Sequence, residues 1–402
     1  SMLREALKVG FKLEVEASFV GQRHPSPGLV CKEFGYCGQS PELEAWFKRY
    51  EGRWLSEYEW MPEKWDEALE SLTAIIGSSL FMQRADLVVC GGPAWFCAML
   101  RSVWLAPMLL YFAWPIASLV PAGFKTHVFS IIRSMGQSAS PPTVIVVANR
   151  ILAAQFALQI HMPVEVQRPH GLYANATYSP VPAADGRPRV MITRIGQWAR
   201  VSGVALLETT WSFMEQKKRE TGRVFPLALE FLSIRIRGTN TNKALTYKEF
   251  AGYHACVFWP WDVMMLLFNE LYTMTVPLLI PDRSWMVRLM AHSLRHTEMN
   301  WWHMRGATVA GELPRAFGPE YPLPSKPWAD GQTSIEALSY WYELTDFVQF
   351  PSITNFHSLP DMLDKLESLD VAAVRAGMSA YNHRTLRQSL AFYREAATEL
   401  LV

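Results

Sequence analysis

The sequence predicts an α/β protein of two Rossmann-like domains facing a central cleft. Three observations predict it. Residues 85–166 alternate short apolar runs with helical patterns at the spacing of strand–helix–strand units. The same alternation restarts at Val190. Between the two, Arg168 to Arg189 (RPHGLYANATYSPVPAADGRPR) carries four prolines, two glycines and few aliphatics, the composition of an interdomain linker. A chain of 402 residues also exceeds the size of one ordinary core. The expected division is a first domain over residues 1–168, a linker over 169–189, and a second domain over 190–370. Terminal helices over 371–402 are able to pack back on the first domain.

In chain order, Lys8 to Phe19 alternates as a first strand, with Glu14 and Glu16 on one side. Val20 to Ser40 reads as a loop. Helices are expected over Pro41–Tyr50 and Pro62–Leu80, the second with proline at its start. Leu87 to Cys90 is an apolar strand ending in Gly91-Gly92-Pro93, where the missing Cβ atoms let the backbone approach a ligand or turn tightly into the helix Ala94–Val103. Pro107–Trp114 is the next strand and His127–Met135 a helix. Pro142–Val147 (PTVIVV) is a mostly β-branched strand, followed by a helix over Ile151–Leu158 and a short extended Val164–Val166.

Beyond the linker, Val190–Arg194 is a strand, Val204–Thr221 a helix, Phe225–Ile236 extended and Leu245–Tyr253 a short helix. Ala255–Phe258 (ACVF) is a strand broken by Trp259-Pro260-Trp261-Asp262, with Asp262 as N-cap of a helix over Val263–Met274. Val276–Pro281 is a second buried strand. A helix over Ser284–Arg305 carries His292 and His296 on one face, but no acidic third ligand supports a metal site. Gly306–Gln332 is a loop and Ile335–Leu344 a helix. Phe347–Pro351 is expected as the last strand, followed by a helix over Ser358–Glu367 and terminal helices over Val371–Leu401.

Composition excludes several classes. Half of the residues are hydrophobic, so a large core is available and global disorder is excluded. A net charge of +1 gives no reason to expect a nucleic-acid or anionic-membrane surface. Ser102–Val120 is a run of 19 residues without a charge, the length of a membrane span, but Pro107 and Pro115 lie inside it; a buried strand with flanking turns is the expectation. Membrane association is left open on the reading that the chain is a fragment of an anchored protein, with Ser1-Met2 a cloning remnant. Its location would then be the Golgi lumen, and otherwise the cytoplasm. Five cysteines with no C-x-x-C pair point to a reduced compartment, with a Cys31–Cys37 bridge as the alternative. Asn175-Ala176-Thr177 fits the N-glycosylation triplet, a pattern that also arises by chance.

The stretch from Leu245 to Pro281 carries a family resemblance. A short helix, a strand ending at Trp259-Pro260, a helix with Asn269-Glu270, and the strand Val276-Pro277-Leu278-Leu279-Ile280-Pro281 resemble the donor-side half of GT-B-fold glycosyltransferases. Exostosin-like and fucosyltransferase-like members are the divergent relatives it is most similar to. The resemblance implies transfer of a sugar from a UDP- or GDP-linked nucleotide-sugar, held by the second domain, to a hydroxyl of a glycan, protein or small-molecule acceptor. No further cofactor and no metal are implied. Glu270 would contact the ribose or sugar. Two departures stand out: Thr275 occupies the place of a usual glycine, and Asp262 stands where the family's paired acidic residue is a glutamate.

The chemistry of a nucleotide-sugar asks for cations at the diphosphate, and Arg194 and Arg237, each at the exit of a strand, are the candidates. Trp259 or Trp261 offers a wall for the base. Glu16, His24, His127 and His170 are the candidate general bases for the acceptor hydroxyl. Gly91 and Gly92 would bring backbone to the cleft. A sugar-nucleotide epimerase or hydrolase and a catalytically silent binding protein are the competing functions. A nicotinamide enzyme is disfavoured because no strand runs into G-x-G-x-x-G.

Overall fold

The computed structural model describes residues 41–50, 60–91, 93–117, 119–138, 141–193, 202–232, 245–260, 264–293 and 335–401. The expected strand at Lys8–Phe19 and the Cys31–Cys37 pair lie outside them. The chain divides into two compact units, with the break between Gln167 and Arg168; residues 388–402 belong to the first unit.

The first unit contains helices α1 (Pro41–Tyr50), α2 (Met61–Ser78), α3 (Leu80–Gln83), α4 (Ala94–Val103), α5 (Lys125–Gln137) and α6 (Arg150–Ile160). Its strands are β1 (Val88–Cys90), β2 (Met108–Phe112), β3 (Thr143–Val147) and β4 (Glu165–Val166), all parallel and in the order β1-β2-β3-β4. The charge-free run at 102–120 is thus a buried strand with its flanks, and no described helix is long and apolar enough to cross a membrane. The expected helix over 62–80 stops at Ser78, because the Ser79 hydroxyl caps a new turn by accepting from the Met82 N–H. The Asn149 side chain caps α6 in the same way, through the Leu152 N–H at 3.0 Å. The four described strands follow one another across the sheet without a reversal, so they form a singly wound arrangement.

Cys90, at the end of β1, is disulfide-bonded to Cys97 in α4. This corrects the expectation of reduced cysteines. A strand end and the first turn of the helix it feeds are close neighbours, and here their Cα atoms lie 5.9 Å apart. The bridge links the end of β1 to α4 across seven positions of the chain.

The second unit contains β5 (Arg189–Thr193), α7 (Ser202–Thr221), β6 (Ala228–Leu232), α8 (Tyr247–Ala251), β7 (Ala255–Phe258), α9 (Leu266–Thr273), β8 (Leu278–Pro281), α10 (Arg283–Ser293), α11 (Ile335–Glu343), α12 (Asp346–Gln349), β9 (Thr354–Phe356) and α13 (Leu359–Glu367). Its sheet is wholly parallel in the order β6-β5-β7-β8-β9. The winding reverses between β5 and β7, which makes their carboxyl ends a topological switch point. One face carries Val190, Ile192, Ala255, Val257, Leu279 and Phe356 against Leu359, Met362, Leu363 and Leu366 of α13. Phe347–Pro351 is not a strand: Asp346–Gln349 is a helical turn, and the last strand is Thr354–Phe356, paired with β8.

Residues 169–189, read in the sequence as a linker, are built into the second unit. The Ser179 and Val181 N–H groups donate to the carbonyls of Ala251 and Gly252, and the Tyr178 hydroxyl donates to the His254 carbonyl. A 31-residue helix, α14 (Val371–Leu401), ends the described chain. Its residues to Arg387 belong to the second unit and those after it to the first. There Tyr393 and Leu400 cover Leu109 and Val146 of the first sheet.

Candidate functional site

The richest buried polar cluster in the described second unit surrounds α9. This helix leaves the carboxyl end of β7 and returns to β8. It was expected from Val263 with Asp262 as cap, but its N-cap is Met265, with no side-chain cap. Asp262 lies outside the described residues, so a helix-capping role for it is set aside.

Glu270 is 6% exposed. One oxygen of its carboxylate accepts from two phenols, Tyr173 at a short contact and Tyr247 at 3.0 Å. The two rings meet edge to face, 5.8 Å apart. Burial, then the adjacent carboxylate, pushes the Tyr173 phenol well above its ordinary range, so it remains protonated and donating. Tyr173 is brought there by the short 3-10 turn Leu172–Ala174, which begins after Gly171. Gly171 has φ +54, and a Cβ there would sit 3.3 Å from the Glu270 Cα. Glycine is therefore favoured both by conformation and by the close approach.

One residue away, the Asn269 amide donates to Asp346 at 3.0 Å. Burial raises the Asp346 carboxyl to about 6, against the lowering effect of Asn269 and Arg168. At the far end of α9, the Arg168 guanidinium donates to Thr273 Oγ1 at 3.2 Å and Asn382 Oδ1 at 3.1 Å. It lies 4.5 Å from the Phe350 ring centre, with Tyr381 and Tyr272 at 5.4 and 5.5 Å. A cation at a helix C-terminus, in an aromatic surround, is favoured by the helix dipole and by the ring quadrupoles. His170 is 4% exposed, and burial together with Arg168 lowers its pKa to about 3. It is neutral at ordinary pH and closed to solvent, which removes the physical basis for placing it as an open cleft base.

The other expected site residues fall elsewhere. Trp259 is 4% exposed and packs between Trp285 and Phe356, each at 5.5 Å, so its ring belongs to the core and leaves no wall for a base. His127 is exposed on α5, with its ring against Phe124 and Trp65. Gly91 is exposed just after β1, next in sequence to Gly92, which is not among the described residues. Glu16, His24, Arg194, Arg237, Trp261 and Asp262 also lie outside the described residues. Arg194 directly follows Thr193, the last residue of β5, and so follows the switch point in sequence.

Thr275, noted in the sequence as standing where a glycine was expected, has an unusual backbone. It has φ +58 and follows α9 as the C′ residue of a Schellman motif. Its N–H donates to the Tyr272 carbonyl and that of Val276 to Leu271, at 3.0 and 3.1 Å. The position has the left-handed backbone that glycine suits best. Among the described residues no group of three or more His, Cys, Asp or Glu is placed to hold a metal. A cavity of about 540 Å³ beside Lys217, Arg223 and Phe225 lies ahead of β6, at the amino edge of the sheet, away from the switch point. Compared with known proteins, the chain matches no family model, no curated protein and no solved structure.

Proposed function

We propose that the chain is a GT-B-like glycosyltransferase that binds a UDP- or GDP-linked sugar at the carboxyl edge of its second sheet. The observation that carries this reading is the strand order β6-β5-β7-β8-β9, whose reversal between β5 and β7 marks the place where open α/β sheets bind their ligands. Two wholly parallel units in one chain support it. So does the left-handed Thr275 ahead of Val276-Pro277, which has the backbone of the glycine it replaces. Arg194 is the proposed diphosphate ligand.

The role of Glu270 in this reading is narrower than direct ribose contact. With its carboxylate engaged by two phenols, it ties α9 to the 172–174 turn and to α8. The same engagement favours a second reading, a binding protein without turnover, since the acidic residue is already committed. A thermal-shift panel of nucleotides and nucleotide-sugars tests binding, because a ligand held only by the folded state raises the melting temperature by mass action. UDP or GDP is expected to stabilise, and Arg194→Ala to weaken that effect by roughly tenfold or more in affinity, the worth of a charge-assisted phosphate contact. No shift with any nucleotide removes both readings. Release of free nucleoside diphosphate on adding acceptor sugars separates the transferase from the binder.

A further inference from the structure

We propose that this protein matures in an oxidising, glycosylating compartment and carries an N-linked glycan on Asn175. The two observations behind it come from different units. The first is the Cys90–Cys97 bridge. Cys90 is 5% exposed and Cys97 fully buried, so neither sulfur is open to a redox partner once the unit has folded. The bond therefore forms before or during folding. Two thiols lose two protons and two electrons to the disulfide of a dithiol–disulfide oxidoreductase, which is reduced to its dithiol. That exchange is sustained where nascent chains meet an oxidising thiol pool, and it is opposed in a compartment that keeps thiols reduced.

The second is the geometry of Asn175-Ala176-Thr177, the single N-x-Ser/Thr triplet in the sequence. Both Asn175 and Thr177 are exposed. Asn175 has φ +43, a left-handed conformation that asparagine tolerates better than most residues. The triplet is held out as a loop by anchors on either side. The Ala174 N–H donates to the Gly171 carbonyl before it, and the Ser179 N–H to the Ala251 carbonyl after it, both at 2.9 Å. A glycan on Asn175 would extend into solvent, on the far side of the turn that presents Tyr173 to Glu270. In the transfer, the Asn175 Nδ2 attacks C1 of a lipid-pyrophosphate-linked oligosaccharide. The new N–C1 bond replaces the C1–O bond, the amide gives up one proton, and the lipid pyrophosphate leaves with the electron pair.

The experiment maps the endogenous full-length protein, isolated from its source with free thiols blocked at lysis. Peptide mass spectrometry is run before and after an amidase that releases N-glycans and converts the modified asparagine to aspartate. The expected result is a linked 90/97 peptide pair and the Asn-to-Asp mass change at residue 175 after treatment. In parallel, the wild type and Thr177→Ala are expressed in a eukaryotic secretory host. Thr177→Ala destroys the triplet while leaving Asn175 in its left-handed turn, so it should fold and migrate like the deglycosylated wild type, insensitive to the amidase. An unmodified Asn175 in the endogenous protein overturns the proposal whether or not the bridge is present. Blocked, reduced Cys90 and Cys97 overturn it equally. Neither outcome bears on nucleotide binding, so this test stands apart from that of the proposed function.

Discussion

At the scale of the residue, two buried groups with displaced pKa values act against each other on acidification. The Asp346 carboxyl rises from its ordinary 3.8 to about 6. Between those values the unfolded chain ionises while the folded chain keeps its proton, so the Asp346 contribution to stability falls as pH rises through this window and is level above it. His170 drops from 6.5 to about 3. Below 6.5 the unfolded chain takes a proton that the folded chain refuses, so stability is lost as pH falls toward 3. From about pH 6 down to 4 the two effects oppose, each worth up to about 1.4 kcal/mol per pH unit. Asp346→Asn should therefore steepen the acid loss of stability over that range, and His170→Gln should flatten it. Urea unfolding between pH 4 and 7 measures both slopes; unchanged slopes in both variants would refute the opposing pair. Glu270 shows what the sequence concealed at this scale. A carboxylate in an apolar helix announces that a partner exists. The partners, Tyr173 and Tyr247, lie 97 and 23 residues away, and no local pattern points to either.

At the scale of the element, Thr275 is the clearest conflict between residue and backbone. A β-branched side chain in a left-handed C′ position crowds its own carbonyl, at a cost of about 1–2 kcal/mol. The Schellman bonds around it hold the position regardless. Thr275→Gly should raise stability by about 1 kcal/mol, the strain relief less the added entropy of glycine in the unfolded chain. Thr275→Val keeps the branching and should gain nothing. Equal melting temperatures for Gly and Val would show that no strain is held there. Elements with a complete local signature were readable in advance. Ala94–Val103 and Ala255–Phe258 match their expected bounds, and Ser358 starts α13 through its side chain, as the Ser-Leu-Pro-Asp signal implies. Phe347–Pro351 was misread because a short apolar run fits a buried helical turn as well as a strand. Thr354-Asn355-Phe356 was missed for the opposite reason. Two of its three residues are polar, and it is a strand only because β8 offers an unpaired edge. The Cys90–Cys97 pairing was obscured similarly, since a spacing of seven means proximity only once a strand end and a helix turn are known to adjoin.

At the scale of the whole molecule, the chain pays into two cores with one helix. The residues of α14 up to Arg387 serve the second unit, where Asn382 joins Arg168 to the carbonyls of Tyr272 and Thr273. Those from Gln388 onward serve the first, where Tyr393 and Leu400 are 4% and 3% exposed against Leu109 and Val146. Burying a large apolar side chain is worth about 1.5–3 kcal/mol, so this pair contributes roughly 3–6 kcal/mol to a unit whose whole stability is of order 5–15 kcal/mol. A chain ending at Arg387 should accordingly lose cooperative structure in the first unit while the second, with its own sheet and the polar cluster about α9, survives. Hydrogen exchange reads the two separately. Protection should collapse in β2 and β3 and persist in β5, β7 and β8, and any nucleotide-induced stabilisation of the second unit should be retained. Tyr393→Ala with Leu400→Ala, in the full-length chain, should reproduce the pattern in milder form. Equal loss of protection in both sheets would mean that the units do not fold on separate cores. Undiminished protection in β2 and β3 would mean that the first sheet does not depend on the helix that covers it.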